Sequence, residues 1–382
     1  DTIRNYARDA EIEGGDDGDY IENKSANSVT LNAGAGDDRI INRGGYQNTI
    51  TPGTGDDSID VTESKEVLIK YKAGDGSDFI RGLRDDASLS IAGGVYSTQR
   101  SGSDKKGNDI IVKIGEETIT LEDAVNLPKV NILGVEDVHF NATNSLDNVL
   151  LVGTLFEDTI ENTGNNVTIV ALESNDFIRN GDWEEISSNN VTIDALGGND
   201  TIRNSGSYTS IAGGAGNDSI YNTGEITTID GGAGNDTIYN TTYSTKIFGG
   251  DGDDYIDNNA PRVSVIGGAG ADTINNYKPY STIYGGVGND SIFNSNTSGY
   301  GTTGTKAIIY GEDGDDYIRN TADSVSVYGG EGNDTIINNY RSTYAPTGTY
   351  SYLDGGNGND YISNTEDNVT INGGAEIGRA HV

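Results

Sequence analysis

Cysteine and methionine are absent from the 382 residues, tryptophan occurs once, histidine twice and proline five times. Without cysteine there are no disulfides and no thiolate metal ligands. Two histidines are too few for imidazole-rich zinc or iron sites. No apolar run approaches the length that spans a membrane as a helix. Apolar residues make up only 33% of the chain, which is thin for a conventional core of this size. Basic residues are also scarce, 24 against 60 acidic ones, for a formal charge of −36. That balance excludes the basic footprint of a nucleic-acid binder and disfavours anionic membrane surfaces. It leaves a cation as the natural partner for the carboxylates.

What is abundant is glycine, 55 residues, together with Asn, Asp and Ile in a fixed order. Gly213-Gly-Ala-Gly-Asn-Asp-Ser-Ile220 returns at 231–238 and, with changes, at 249–256, 267–274 and 285–292. The closing aspartates Asp200, Asp218, Asp236, Asp254, Asp272 and Asp290 are 18 residues apart. Aliphatic residues recur every nine, from Ile211 through Ile220, Ile229 and Ile238 to Ile292. A three-sided coil would place an inward aliphatic every six residues. A spacing of nine gives two short strands and two turns per coil, so the fold class is all-β: a two-sheet parallel β-roll (β-solenoid) with 18-residue coils. In the strand Asp-x-Ile-x-Asn the named residues face inward by the period-two rule. Coils stacked about 4.8 Å apart put Ile on Ile. They also put Asn222, Asn240, Asn258, Asn276 and Asn294 into one amide ladder, since an amide both donates and accepts.

The two turns differ. Across the Gly turn the count from aliphatic to aliphatic is expected always to be nine, as from Ile12 to Ile21, Leu31 to Ile40, Ile169 to Ile178 and Leu353 to Ile362. The other turn accepts insertions, between Ile178 and Ile193 (with Trp183), Ile292 and Ile309, and Ile336 and Leu353. Loops tolerate insertion unless their backbone is constrained, so a ligand is expected on the Gly edge. A column of aspartates about 4.8 Å apart costs roughly 0.9 kcal/mol per neighbouring pair in water and about 3.5 at an effective dielectric of 20. A turn needing only geometry could use Asn. Left-handed glycines that let carbonyls converge, plus one carboxylate per turn, make a hard oxygen donor set suited to calcium.

Here the chain resembles the hemolysin-type (RTX-like) calcium-binding nonapeptide family, whose signature is Gly-Gly-x-Gly-x-Asp-x-aliphatic-x. The resemblance implies a right-handed parallel β-roll holding several Ca2+ ions between successive turns. Carried over by position, the metal residues are Asp200, Asp218, Asp236, Asp254, Asp272, Asp290, Asp316, Asp334 and Asp360. The glycines are Gly214, Gly216, Gly232, Gly234, Gly250, Gly252, Gly268, Gly270, Gly286, Gly288, Gly330, Gly332, Gly356 and Gly358. Asp38, Asp57 and Asp78 match more loosely. Only alternate turns carry the motif, so one calcium column is expected rather than two. The turns ending at Asp158 and Asp176 lack the key glycines and are expected to bind nothing, and the turn 14–19 reads as shifted.

The expected organisation is a roll block over 1–81, a β-strand spacer or cap over 82–157, and a second roll block over 158–375. In the spacer, 109–121 reads as two strands around a tight turn, with further strands at 130–133 and 135–140. The chain opens in mid-repeat at Asp1, and the tail 376–382 could be encoded by a common sequencing adapter, so it is read as a scar outside the fold. No Gly-x-Ser-x-Gly, His-Glu-x-x-His or phosphate-loop motif occurs, so the chain is read as non-enzymatic. The expected function is that of a calcium-binding structural or adhesive segment of a large secreted or surface bacterial protein. Its partners would be calcium and, through the parent protein, cell-surface or carbohydrate targets. The alternatives are a calcium-dependent carbohydrate- or ice-binding module, or the non-catalytic appendage of a secreted enzyme.

Overall fold

A computed structural model describes residues 1–24, 26–92, 95–101, 107–134, 139–182, 188–295, 306–339, 350–375 and 379–381. Trp183 and most of the two longest insertions lie outside these residues. Two compact units are present, Asp1–Ala195 and Leu196–Val382. Each is a two-sheet parallel β-solenoid, and among the described residues the single helical element is a 3-10 turn, Ala124–Asn126.

In the second unit the strands before the Gly turns, Ser210–Ala215, Thr228–Ala233, Lys246–Asp251, Ser264–Ala269 and Thr282–Val287, pair in parallel with aliphatic facing aliphatic. The strands after the turns, Ser219–Asn222 to Ser291–Asn294, do the same in the opposite sheet. Their burial alternates as period two requires, with Ile220, Ile229, Ile238 and Ile247 fully buried. Ile283 pairs with Ile309 and Ile292 with Ile318, so the insertion between these coils leaves both ladders in register. The amide ladder is present: Asn222 Nδ2 donates to Asn240 Oδ1 at 2.9 Å, and the same bond links each coil to the next as far as Asn338 and Asn364.

The edge opposite the Gly-Gly-x-Gly turns carries a recurring backbone cost. Tyr208, Ile226, Ser244, Arg262, Tyr280 and Ser324, each three residues before an inward aliphatic, hold φ between 55° and 64°. A β-branched residue is the least suited to this left-handed region, where side chains other than glycine cost roughly 1–2 kcal/mol. Ile226 is 45% exposed and so has little packing to lose. The substitution Ile226→Asn is expected to stabilise the folded protein by about 1 kcal/mol, read as a higher thermal midpoint at fixed calcium. A lower midpoint would mean the side chain is held by something other than this turn.

In the first unit the sheet containing Leu68–Lys72 runs on through Ser88–Ala92, Val130–Gly134 and Val149–Val152, all parallel. The other sheet takes in a hairpin. Glu117–Leu121 pairs in parallel with Asp78–Arg81 and antiparallel with Ile110–Ile114. Ile110–Ile114 is antiparallel to Val95–Arg100, which is parallel to Asn141–Asn144. Residues 82–157, expected as a spacer or cap, are therefore woven into both sheets. The strand expected at 135–140 begins instead at Asn141, with 135–138 outside the described residues. The Gly-edge turn from Ile69 to Ile80 breaks the expected count of nine by spanning eleven residues. Tyr71, buried, stands there two residues after the aliphatic, where most other turns have glycine. At the C-terminal end Arg379–His381 pairs in parallel with Tyr361–Ser363, because a backbone ladder accepts a strand without regard to its sequence.

Candidate calcium turns

Each Gly turn is closed by an aspartate whose two carboxylate oxygens behave differently. Oδ1 accepts the backbone N–H of the corresponding aspartate one coil earlier. Asp218 N–H donates to Asp236 Oδ1 at 2.7 Å, Asp236 to Asp254 at 2.8 Å, and Asp254 to Asp272 at 2.8 Å. The pattern continues through Asp290, Asp316, Asp334 and Asp360. In the first unit it joins Asp19, Asp38, Asp57 and Asp78. Oδ2 is buried and has no hydrogen-bond partner at Asp218, Asp236, Asp254, Asp272, Asp290, Asp316, Asp334 and Asp360, and equally at Asp19, Asp38, Asp57 and Asp78. Asp200 is buried and bonded to Asp218 in the same column.

An orphaned carboxylate oxygen is costly once, and a whole column of them is a donor set that fits a row of cations. What surrounds it has the matching chemistry. A Cβ on Gly231 would collide with both Asp236 Oδ2 and the carbonyl oxygen of Gly249 in the next coil, so these two oxygens share one small space that only glycine leaves open. Gly232, at φ 113°, lies against the carbonyl of Gly214 in the same way. Among the described residues no three His, Cys, Asp or Glu side chains converge on one point. The donors are instead one carboxylate oxygen per turn and backbone carbonyls from adjacent coils. That all-oxygen, flexible set fits calcium, which would supply the positive charge the column lacks.

Charge in the column follows from burial. Burial pushes the carboxyls of Asp236, Asp254, Asp290 and Asp316 up to about 7 and those of Asp272 and Asp334 up to about 6. The donated backbone N–H pulls the other way, and neighbouring carboxylates add to the rise. Asp218 and Asp360 are raised by the same cause. In the first unit Asp57 rises to about 6, Asp78 to about 7, and Asp38 moves in the same direction.

The structure places Asp200, Asp218, Asp236, Asp254, Asp272, Asp290, Asp316, Asp334 and Asp360 in one column of the second unit, with their glycines at the turn. Asp38, Asp57 and Asp78 form a similar column in the first unit. Asp78 differs locally, because the Tyr71 ring fills the place of glycine and its phenol lies beside Asp78 and Asp57. The turn 14–19 is in register rather than shifted: Gly15 pairs with Gly34 and Asp16 with Ala35, and Asp17 takes the third-glycine place at φ 70°. Asp158 is unlike the rest. Thr154 donates its N–H to Asp158 Oδ2 at 2.6 Å and its hydroxyl to Oδ1 at 2.9 Å, so both oxygens are satisfied by protein.

Two features escaped the sequence reading. The first glycine of each motif (Gly213, Gly231, Gly249, Gly267, Gly285, Gly311, Gly329 and Gly355) is the one pressed against Oδ2, and its signal was its place five residues before each aspartate. The residue before the aspartate also has a role. Asn217 N–H donates to Asn199 Oδ1, Asn235 to Asn217 and Asp253 to Asn235, at 2.7–3.0 Å, forming an outer ladder opposite in direction to the inner one. That explains why Asn and Asp predominate there. Ala271 can donate its N–H to Asp253 but has no oxygen to offer Asn289.

A family model of the RTX calcium-binding nonapeptide repeat matches residues 210–222, 223–240, 246–260, 281–296 and 310–338. The chain carries RTX calcium-binding repeats. These segments contain Asp218, Asp236, Asp254, Asp290, Asp316 and Asp334, whose Oδ2 atoms are orphaned, and the same geometry recurs outside them at Asp272 and Asp360. The RTX turns make this region a calcium-binding structural repeat. No curated protein matches the chain. Among the described residues no helix is long and apolar enough to cross a membrane.

Proposed function

We propose that the chain is a calcium-stiffened structural or adhesive segment of a large secreted or surface bacterial protein, and that it folds when it meets calcium after export. The observation that carries this is the repeated orphaned Oδ2 on the Gly edge, with no such column among the described residues of the edge that accepts insertions. On this reading a single column of ions per unit is held by the Asp carboxylates and Gly-turn carbonyls. Extracellular calcium modules have dissociation constants of about 10⁻⁴–10⁻³ M, far above cytosolic calcium, so the RTX coils would remain unfolded until exported.

The sugar-binding alternative gains little from the aromatic residues. Tyr284, Tyr310 and Tyr328 stack on one another, with centroids 5.0 and 4.9 Å apart and planes within 11°. Their flat faces are taken by neighbours, leaving edges rather than platforms outward. The outward residues flanking Ile220 to Ile292 mix Ser, Thr, Tyr, Asp, Asn and Phe, which offers no lattice for ice.

The test compares two aspartates that close corresponding turns of the roll. Asp254→Asn removes a ligand charge next to two coils and is expected to weaken calcium binding by about tenfold at those sites, measured by calorimetry on the full chain. Asp158→Asn, at a turn whose carboxylate is already satisfied, should leave the binding curve unchanged. Equal losses from the two variants would rule out this assignment of ligands.

A further inference from the structure

The column of buried carboxylates has one long gap. Between Asp78 and Asp158 no Asp or Glu is buried among the described residues, whereas elsewhere one recurs about every coil. The same stretch is richer in core. Among the described residues, 83–151 contain 18 buried apolar side chains, whereas 202–274, a slightly longer run of coils, contain 11.

The packing there is also of a different kind. Val112 and Ile119 face each other across an antiparallel pair, a local contact that closes through a turn at Gly115. Tyr96 packs on Phe140 at 5.2 Å between centroids. Two polar pairs brace the stretch, although Tyr96 Oη and Asn131 Oδ1 stay without a partner: Thr98 Oγ1 donates to Asn144 Oδ1 at 2.9 Å, and Asn131 Nδ2 donates to the Ala87 carbonyl at 2.7 Å. Its C-terminal border is the Asp158 turn, where Thr154 supplies two donors and the Phe140 N–H a third. Thr154 sits where an RTX turn has its second glycine. It does with a hydroxyl and an N–H what the other turns leave to a cation.

We propose that residues 83–162 fold without calcium and act as the nucleus on which neighbouring coils of the first unit assemble when calcium arrives. A parallel coil gains nothing until a second coil is stacked on it, so the first coils are the slow step. A preformed stretch presenting Asp78–Arg81 with an antiparallel-braced partner, and Thr159–Asn162 with a paired edge, removes that step. Local antiparallel pairing forms early for the same reason that low contact order folds fast.

Amide hydrogen exchange on the full chain in chelator tests this. Amides of 110–121, 130–133 and 149–152 are expected to exchange about 100-fold more slowly than those of 210–338, and the difference should close in millimolar calcium. Thr154→Gly, which restores the RTX glycine and removes the hydroxyl that donates to Asp158 Oδ1, should cut protection around 141–162 in chelator while leaving it intact in calcium. Exchange as fast in 110–152 as in 210–338 would overturn the nucleus and leave the calcium assignment standing. Slow exchange throughout the chain in chelator would overturn both.

Discussion

Stripped of divalent cations at neutral pH, the RTX coils of residues 210–338 are expected to lose their β-structure, and millimolar calcium to restore it. Each coil contributes about two buried aliphatic side chains, such as Ile229 and Ile238. At roughly 1.5–3 kcal/mol each, they must oppose about 1–2 kcal/mol of backbone entropy for every residue ordered. Hydrogen bonds narrow that gap, and the orphaned carboxylates widen it again. A ligand that binds only the folded chain adds RT ln(1 + [L]/Kd) per site. With calcium at 10–100 times Kd this is about 1.4–2.7 kcal/mol for each of several ions. Far-ultraviolet circular dichroism of the full chain, titrated from chelator into calcium, should show a cooperative gain of β-structure. Magnesium should be a poor substitute, because it holds its waters and demands a strict octahedron. A complete β-fold of residues 210–338 in chelator would make the aspartate column a structural device only.

Acid should partly replace calcium. The column carboxyls, among them Asp236, Asp254, Asp290 and Asp316, sit at about 7 in the folded chain, against an ordinary value near 3.8. An acid whose folded value is raised favours the fold fully below its unfolded value, where it is neutral in both states. That contribution is lost as pH rises through the folded value. Calcium-free protein should therefore hold more β-structure at about pH 4 than at pH 7.5, with the loss falling between about 4 and 7. In the same window protons compete with the metal, so the calcium midpoint should move to higher concentration as pH falls. Circular dichroism of decalcified protein across this range, with calcium titrations at its two ends, reads both effects. A calcium-free fold that weakens on acidification would show that the carboxylates are not held at raised values by the Gly edge.

Much of this was legible because a solenoid reports its own periodicity. Each coil repeats the same local demands, so a spacing of nine between aliphatics, an aspartate every 18 residues and an asparagine four positions after it reveal two strands, a ligand edge and an amide ladder. Insertions pointed the same way: the edge that tolerated them is the edge without the column. A resemblance resting on Gly-Gly-x-Gly-x-Asp then named the cation that the charge balance had already called for.

What the periodicity could not show depends on atoms that meet across coils. Whether a carboxylate oxygen is orphaned is decided by its neighbours in space: the Thr154 N–H reaches Asp158 Oδ2, and no donor reaches Asp254 Oδ2. The first glycine of each motif matters because a carbonyl from the next coil occupies the place its side chain would take. Residues 82–157 read as a spacer or cap in sequence, since the period lapses there. Only the register of Asp78–Arg81 with Glu117–Leu121, and of Val95–Arg100 with Asn141–Asn144, makes them part of the roll. Local sequence determined the coil; backbone pairing between distant strands, which is indifferent to side-chain pattern, determined how the interruption was absorbed.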